Sequence, residues 1–135
     1  MSYRIVTDTC CDFPQEMYAQ LNLTVVPLNM LFQGELRADS VGDDIKDVYN
    51  ALRAGEVAST SAANPDHWTN YIEPVLAAGE DALVLAFSSG LSTTYQSAVI
   101  AATDLEEKYP DRKIKVVDPL CASLGEGLLV YYACQ

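Results

Sequence analysis

The chain has 135 residues, half of them hydrophobic, and carries 19 acidic against 8 basic side chains, for a formal net charge of −11. This length and composition predict one globular domain and exclude a disordered or low-complexity chain. The negative charge excludes a basic surface for nucleic acid or for anionic membranes, so local groups must hold any anionic ligand.

No targeting or membrane segment is visible in the sequence. The opening MSYRIVTD enters a strand pattern directly, without a secretory signal. No apolar run approaches the roughly 18 residues that a membrane helix requires. The cysteines do not form a C-x-x-C pair, which favours reduced thiols over a zinc site or disulfides. We therefore predict a cytoplasmic protein without membrane insertion. The cysteines are Cys10, Cys11, Cys121 and Cys134.

The first third of the chain predicts strands on either side of a helix. A β-prone run at residues 4–7 is followed by a helix start, with Asp12 as its N-cap. Residues 23–30 predict a second strand, which Pro27 places at an edge or at a bulge. Residues 33–43 are acidic and contain glycine, so we predict an exposed loop there.

Two helices are predicted next. Apolar residues at helical spacing predict a helix that begins at Asp43 or Asp44 and ends at Gly55. Another helix is predicted to begin at Asn64, which is followed by a proline. Residues 59–61 (STS) are predicted to form a loop before that helix.

The second half of the chain predicts the centre of a sheet. Residues 81–87, DALVLAF, form a continuous apolar run typical of a strand buried on both faces of a parallel sheet. A serine-rich turn and a helix follow, then a strand at 113–118 and an apolar helix from about Ser123. This alternation predicts an α/β domain with a mainly parallel sheet flanked by helices. The last helix lacks a cap, so we expect residues 1–135 to be one lobe of a longer protein.

Small polar side chains follow the predicted strands at their carboxyl ends, where open α/β sheets bind ligands. Hydroxyls and free N–H groups at a helix N-terminus suit a carboxylate or a phosphate. Helix capping is the alternative role for any single residue, but ligand binding is favoured for the group. The group consists of Thr60, Ser61, Ser88, Ser89 and Ser92. Thr7, Asp8, Thr9 and Asp118 stand at the ends of two further predicted strands.

Catalysis is not predicted from these residues. Ser89 lies in a strand-to-helix turn, but GLSTT does not match G-x-S-x-G, and the single histidine, His67, belongs to another helix start. No lysine completes a Walker loop. Asp8, Asp12 and Asp118 are weak indications of a magnesium site. The residues therefore predict no cofactor and no metal.

Four motifs resemble those of the DegV family, in the family's order. IVTDTCCDFP resembles the opening TDST-D-P pattern, and STSAANP resembles the TSQP loop. SSGLSTTYQSA is close to the SSGLSGTY-SA signature, which is the most specific of the four. VVDPLCASLGEGLLV resembles the V-D-S-x-x-x-S-x-G-x-G-x-L-V segment. The chain is therefore similar to the N-terminal domain of a DegV protein.

This resemblance implies a longer, two-lobed bacterial protein that binds one long-chain fatty acid between its lobes. By motif position, Thr60 and Ser92 would hydrogen-bond the carboxylate, with Ser61 and Ser89 as further contacts. Some members of the family are the acyl-binding subunit of a fatty-acid kinase and present the carboxylate to a separate ATP-binding subunit. The resemblance thus implies a lipid-binding protein and not an enzyme.

Two departures from the family pattern affect loops. Thr93 replaces the glycine of the signature, which would be costly if that position required a positive φ. TSAANP has one more residue than TSQP before its proline. Two alternatives stay open: a hydrolase or phosphotransferase that uses Ser89 or Ser92 with a missing C-terminal lobe, and a structural lobe without a site of its own.

Overall fold

The computed structural model describes residues 2–38 and 44–135. The strands are β1 (Tyr3–Asp8), β2 (Thr24–Val26), β3 (Asn29–Phe32), β4 (Glu35–Ala38), β5 (Ala58–Ser61), β6 (Asp81–Leu85) and β7 (Ile114–Val117). The α-helices are α1 (Gln15–Gln20), α2 (Asp44–Arg53), α3 (Pro65–Ala77), α4 (Thr94–Lys108) and α5 (Leu124–Ala133), and Thr9–Cys11 form a 3₁₀ turn.

A parallel sheet with the strand order β2-β1-β6-β7 forms the centre of the fold. Val84 of β6 lies opposite Val6 of β1 on one side and Val116 of β7 on the other. The apolar run of residues 81–87 therefore supplies a central strand, as predicted. The α/β class, with a parallel sheet flanked by helices, is confirmed.

Helices cover both faces of this sheet, because successive residues of a strand point to opposite sides. Val6 and Val84 belong to a core cluster with the buried side chains of α3 and α4, including Trp68. Their neighbours Ile5 and Leu85 belong to a second cluster, on the side of α5 and α1. Burial on both faces explains why β6 shows no polar alternation.

A smaller antiparallel sheet, with the order β4-β3-β5, was not predicted. Residues 35–38 form a strand where an exposed loop was expected, and residues 39–43 of that loop lie outside the described residues. The interpretation of residues 59–61 as a loop is also wrong, because they belong to β5. Both strands consist mainly of exposed residues, so they lack the apolar alternation that marks a strand in sequence.

Two further boundaries differ from the prediction. The expected strand over residues 23–30 is divided at Pro27, so that β2 joins the parallel sheet and β3 joins the small one. Asp12 does not cap α1: it adopts a left-handed conformation with φ 53°, and α1 begins at Gln15 after Pro14. A proline directly before the helix favours this extended approach to its first turn.

The other helix signals are confirmed where the structure describes them. Gly55 follows α2 with φ 97°, a conformation that favours glycine. Asn64 caps α3, and its Oδ1 accepts the backbone N–H of His67 at 2.8 Å. Among the described residues, no helix combines the length and the apolar character needed to cross a membrane.

Candidate functional site

A pocket of about 400 Å³ lies where β5 meets the turn before α4 and the loops that follow β1 and β6. It brings Thr60 and Ser61 of β5 together with Ser92, which is distant in sequence. The remaining wall is largely apolar. Its lining residues are Cys10, Leu28, Thr60, Ser61, Ala62, Phe87, Leu91 and Ser92. Three of the four residues expected to hold a carboxylate therefore line one pocket.

The small sheet places Thr60 and Ser61 at this pocket. In the register of β5 against β3, Thr60 lies opposite Met30 and Ser61 lies opposite Asn29. Because Thr60 and Ser61 are consecutive in a strand, their side chains leave it in opposite directions. Both residues line the pocket, but their hydroxyls do not point to the same side of the strand.

Ser92 reaches the pocket from the tight turn that precedes α4. The backbone N–H groups of Leu91 and Ser92 both donate to the carbonyl oxygen of Ser88, at 3.0 and 3.1 Å. Ser92 Oγ accepts the backbone N–H of Thr94, the first residue of α4, at 3.2 Å. Thr93 has φ −78° and ψ −1°, an ordinary right-handed conformation. Replacement of the signature glycine by Thr93 therefore causes no backbone strain.

Ser89 occupies a different environment from the pocket residues. It is exposed, and its backbone N–H donates to Asp118 Oδ1 at 3.3 Å. Hydrogen bonds from the Ser89 side chain and from the backbone N–H groups of Leu120 and Ser89 lower the pKa of Asp118. Ser88 is buried, and its Oγ accepts the N–H of Gly90 at 3.2 Å. These contacts connect the turn after β6 to the loop after β7.

The polar residues at the end of β1 are buried, and they hydrogen-bond the backbone of residues that line the pocket. Asp8 Oδ1 accepts the backbone N–H of Cys10 at 2.9 Å, and its Oδ2 accepts that of Phe87 at 2.8 Å. Thr9 Oγ1 accepts the N–H of Leu28 at 3.2 Å. Cys10, Leu28 and Phe87 all line the pocket. Asp8 and Thr9 therefore hold three wall residues in place without lining the pocket themselves.

Sequence reasoning missed a buried carboxyl group on α5. Glu126 is fully buried; its Oε1 accepts the hydroxyl of Thr7 at 3.3 Å, and its Oε2 has no hydrogen-bond partner among the described residues. Burial, together with the nearby charge of Asp8, raises the pKa of Glu126 to about 9. This side chain is therefore a neutral acid at pH 7. The signal was available, because Glu126 stands between Gly125 and Gly127 as the one charged residue of an apolar helix.

Close packing holds this part of α5 against the turn after β1. A Cβ atom on Gly127 would lie 2.6 Å from the carbonyl oxygen of Cys11 and 2.9 Å from Cε1 of Phe13. Burial also raises the pKa of the Cys11 thiol to about 11. This contact is compatible only with the smallest residue at position 127, since an approach of 2.6 Å to backbone forces a shift.

The described contacts do not assemble a hydrolase site or a metal site. His67 donates its backbone N–H to Asn64, and its ring centroid lies 5.7 Å from that of Tyr71. None of its described contacts reaches Ser89 or Ser92. Within residues 2–38 and 44–135, no three His, Cys, Asp or Glu side chains are grouped as metal ligands. Asp8, Asp12 and Asp118 accordingly do not form such a group among the described residues.

Comparison with known proteins identifies the family. The DegV family model, described as "Uncharacterised protein, DegV family", matches residues 2–135. The chain belongs to the DegV family. A DegV domain-containing protein of Clostridium perfringens is 41% identical over 133 residues, which cover 97% of this chain and 46% of that protein. The chain thus spans about half the length of the curated relatives that it matches.

Solved DegV structures share this fold. A DegV family protein from Thermus thermophilus, described by its fatty-acid binding, has a TM-score of 0.85 and 32% identity over 99% of this chain and 46% of that chain. The fatty acid kinase B3 protein of Streptococcus pneumoniae, loaded with linoleic acid, has a TM-score of 0.78 and 26% identity. That match covers 98% of this chain and 47% of the streptococcal one.

Proposed function

We propose that this DegV chain binds the carboxylate end of a long-chain fatty acid in the pocket formed by β5 and the turn before α4. The observation that carries the proposal is the convergence of Thr60, Ser61 and Ser92 with Leu28 and Phe87 around one concavity. Hydroxyl groups suit the oxygen atoms of a carboxylate, and the apolar wall suits the first methylenes. The fatty acids of the Thermus and streptococcal relatives support the same ligand class.

The physical chemistry of such a ligand fits an acidic protein. Burial of a methylene group contributes about 0.8 kcal/mol, so an acyl chain of about sixteen carbons contributes about 12 kcal/mol before the costs of ordering. This apolar term exceeds a weak repulsion from the net charge of −11. The hydroxyls then serve to orient the carboxylate and to prevent its burial without hydrogen bonds.

Thr60 and Ser92 are the proposed primary ligands, and Ser61 and Ser89 are the proposed further contacts. Ser61 lines the pocket, whereas Ser89 is engaged with Asp118 and joins only if the turn shifts on binding. Ser89 hydrogen-bonds the carboxylate of Asp118, whose pKa is lowered, and no described contact joins a histidine to Ser89 or Ser92. We therefore assign to the chain a role in holding an acyl carboxylate and not in attacking one.

The proposed role of the protein in the cell is that of a cytoplasmic acyl carrier, which presents the carboxylate of the bound fatty acid to the ATP-binding subunit of a fatty-acid kinase. The resemblance to a named component of such a kinase supports this role. A pocket at the open edge of the sheet suits it, because a phosphoryl donor must reach the carboxylate from outside.

The combined substitution Thr60→Ala and Ser92→Ala in the full-length protein tests the site. Loss of hydrogen bonds to a charged group costs about 1.5 to 3 kcal/mol each, so the loss of two should lower palmitate affinity at least about a hundredfold. The affinity is measured by calorimetric titration of delipidated protein, and native mass spectrometry reports lipid that co-purifies. Thermal unfolding should stay close to wild type.

A control double variant, Thr93→Ala with Thr103→Ala, removes two exposed hydroxyls outside the pocket wall and should bind palmitate normally. Unchanged lipid retention in the test variant would show that the site is assigned wrongly. If the protein hydrolyses a nitrophenyl ester and this activity is lost on substitution of Ser89 or Ser92, the alternative function as a hydrolase is favoured instead.

A further inference from the structure

Thr94, directly behind the pocket, is in close contact with a proposed ligand of the carboxylate. It is the first residue of α4 and has no solvent-exposed surface. Its Oγ1 lies 2.9 Å from Oγ of Ser92, which is within the usual range for a hydrogen bond between hydroxyls. Ser92 is the partner that the described contacts give to this buried hydroxyl.

The direction of this hydrogen bond follows from counting donors and acceptors. A hydroxyl has one proton to donate and two lone pairs. If Ser92 donated to Thr94, the proton of Thr94 would be left buried without an acceptor among the described residues, which is destabilising. If Thr94 donates to Ser92, the buried hydroxyl of Thr94 is satisfied, and the proton without an internal acceptor is that of the half-buried Ser92. The second arrangement is therefore the more stable one.

The remaining geometry fixes where the proton of Ser92 goes. Ser92 Oγ already accepts the backbone N–H of Thr94 at 3.2 Å. With the Thr94 hydroxyl as a second donor, both lone pairs of Ser92 are occupied. Its own proton then has no internal acceptor in the described contacts, and Ser92 lines the pocket. The proton is available to an anion in the pocket.

We propose that Thr94 is a positioning residue, which turns the Ser92 hydroxyl into a dedicated hydrogen-bond donor for the anionic head group of the ligand. The proposal rests on the proposed function, because it needs a carboxylate in this pocket. Thr94 itself touches no ligand and acts through Ser92. Its effect should thus depend on the charge of the head group and not on the acyl chain.

The test compares Thr94→Val, which keeps the shape of the side chain and loses its hydroxyl, with Thr94→Ser, which keeps the hydroxyl. Full-length, delipidated protein is titrated with palmitate and with methyl palmitate. We expect Thr94→Val to weaken palmitate binding about 5- to 10-fold and to leave methyl palmitate within about twofold of wild type. Thr94→Ser should restore palmitate binding. Thr93→Val, an exposed neighbour with the same chemical change, should bind both ligands normally.

A double-substitution cycle separates this inference from the proposed function. In a Ser92→Ala background, Thr94→Val should cause no further loss of palmitate affinity. If Ser92→Ala weakens binding but Thr94→Val does not, the role of Thr94 is refuted and the site stands. If Ser92→Ala has no effect, the site itself is wrong, and the inference fails with it.

Two other outcomes also refute the positioning role. Equal weakening of palmitate and methyl palmitate by Thr94→Val would indicate a structural defect of the turn. Failure of Thr94→Ser to restore palmitate binding would show that shape and not the hydroxyl matters. Should Thr94→Val not fold, Thr94→Ala enters the same comparison, with circular dichroism to establish its native state.

Discussion

One edge of the parallel sheet contains two regions of opposite character. The first, which we call the closed junction, consists of Thr7, Asp8, Cys11, Glu126 and Gly127 and is buried. The second, which we call the open pocket, is lined by Thr60, Ser61 and Ser92 together with apolar side chains. Both regions contain polar residues. Those of the closed junction hydrogen-bond to one another or to backbone groups, whereas those of the open pocket line an open space.

The comparison shows that a position at the end of a strand does not by itself make a polar residue a ligand-binding group. Asp8 follows a strand of the same sheet as the turn that contains Ser92, yet both of its oxygens accept backbone N–H groups. Its role is to join the loops after β1 and β6. Because the residues of the closed junction are buried against α5, they contribute to the stability of the fold. The residues of the open pocket lie beside β5 and can contact a ligand.

Gly127→Ala, in the closed junction, should have the largest effect, and this effect is on the stability of the protein. The added Cβ would meet the carbonyl oxygen of Cys11 at 2.6 Å, so we expect a loss of about 2 to 3 kcal/mol in the free energy of unfolding, measured in urea. Gly125→Ala is the matched control in the same helix, because its Cβ would meet only the Cys121 side chain, at 3.1 Å. Equal losses in the two variants would contradict close packing at the junction.

Glu126→Gln should give a smaller change, of opposite sign and dependent on pH. Folded Glu126 keeps its proton up to a pKa of about 9, whereas an unfolded glutamate loses it near 4.5. The stability that the neutral acid contributes is therefore complete below pH 4.5 and is lost progressively as the pH rises toward 9. Glutamine resembles the neutral acid and does not titrate, so the variant should be about 1 to 3 kcal/mol more stable at pH 7.

The difference between Glu126→Gln and wild type should vanish near pH 4.5 and grow toward pH 9. Urea unfolding across this range measures it, with Glu107→Gln on the exposed face of α4 as the control. Parallel curves for Glu126→Gln and wild type would show that Glu126 is ionised in the folded protein. Palmitate affinity at pH 7 should change little, because the junction lies outside the pocket wall.

The smallest expected effect is a difference in alkylation rate between two adjacent thiols, one in each region. Cys10 lines the open pocket, whereas Cys11 is fully buried and its pKa is raised to about 11. Iodoacetamide at pH 8 should alkylate Cys10 and leave Cys11 unmodified in the native protein, because the thiolate is the reactive form. Saturating palmitate should slow the modification of Cys10, as followed by peptide mass spectrometry. Faster labelling of Cys11 than of Cys10 would reverse the assignment of the two regions.

Particular residues show why sequence reasoning succeeded with the parallel sheet and failed with the small one. Residues 82–87 are continuously apolar because both faces of β6 are covered, and that burial leaves a direct signal in the sequence. Residues 35–38 and 58–61 are mostly exposed, and their strand character comes from pairing with β3. Such pairing joins residues that are distant in sequence, so no local pattern announces it.

The candidate site divides in the same way. The sequence motifs assign Thr60 and Ser92 to one group, and the fold brings both to one pocket. The sequence made Ser89 a candidate of the same kind, but in the structure Ser89 hydrogen-bonds Asp118 in the loop after β7. The neutral state of Glu126 also depends on surroundings, because burial and the charge of Asp8 raise its pKa.

The sequence by itself determined that the chain forms an α/β domain, which run of residues fills the buried centre of the parallel sheet, and the family, since burial and helix capping act through neighbouring residues. The tertiary structure decided which polar residues face solvent, which support the fold and which hydroxyl-bearing residues line a common pocket. Those properties depend on the distance between chain segments, and hydrogen bonding and desolvation act only over a few ångströms.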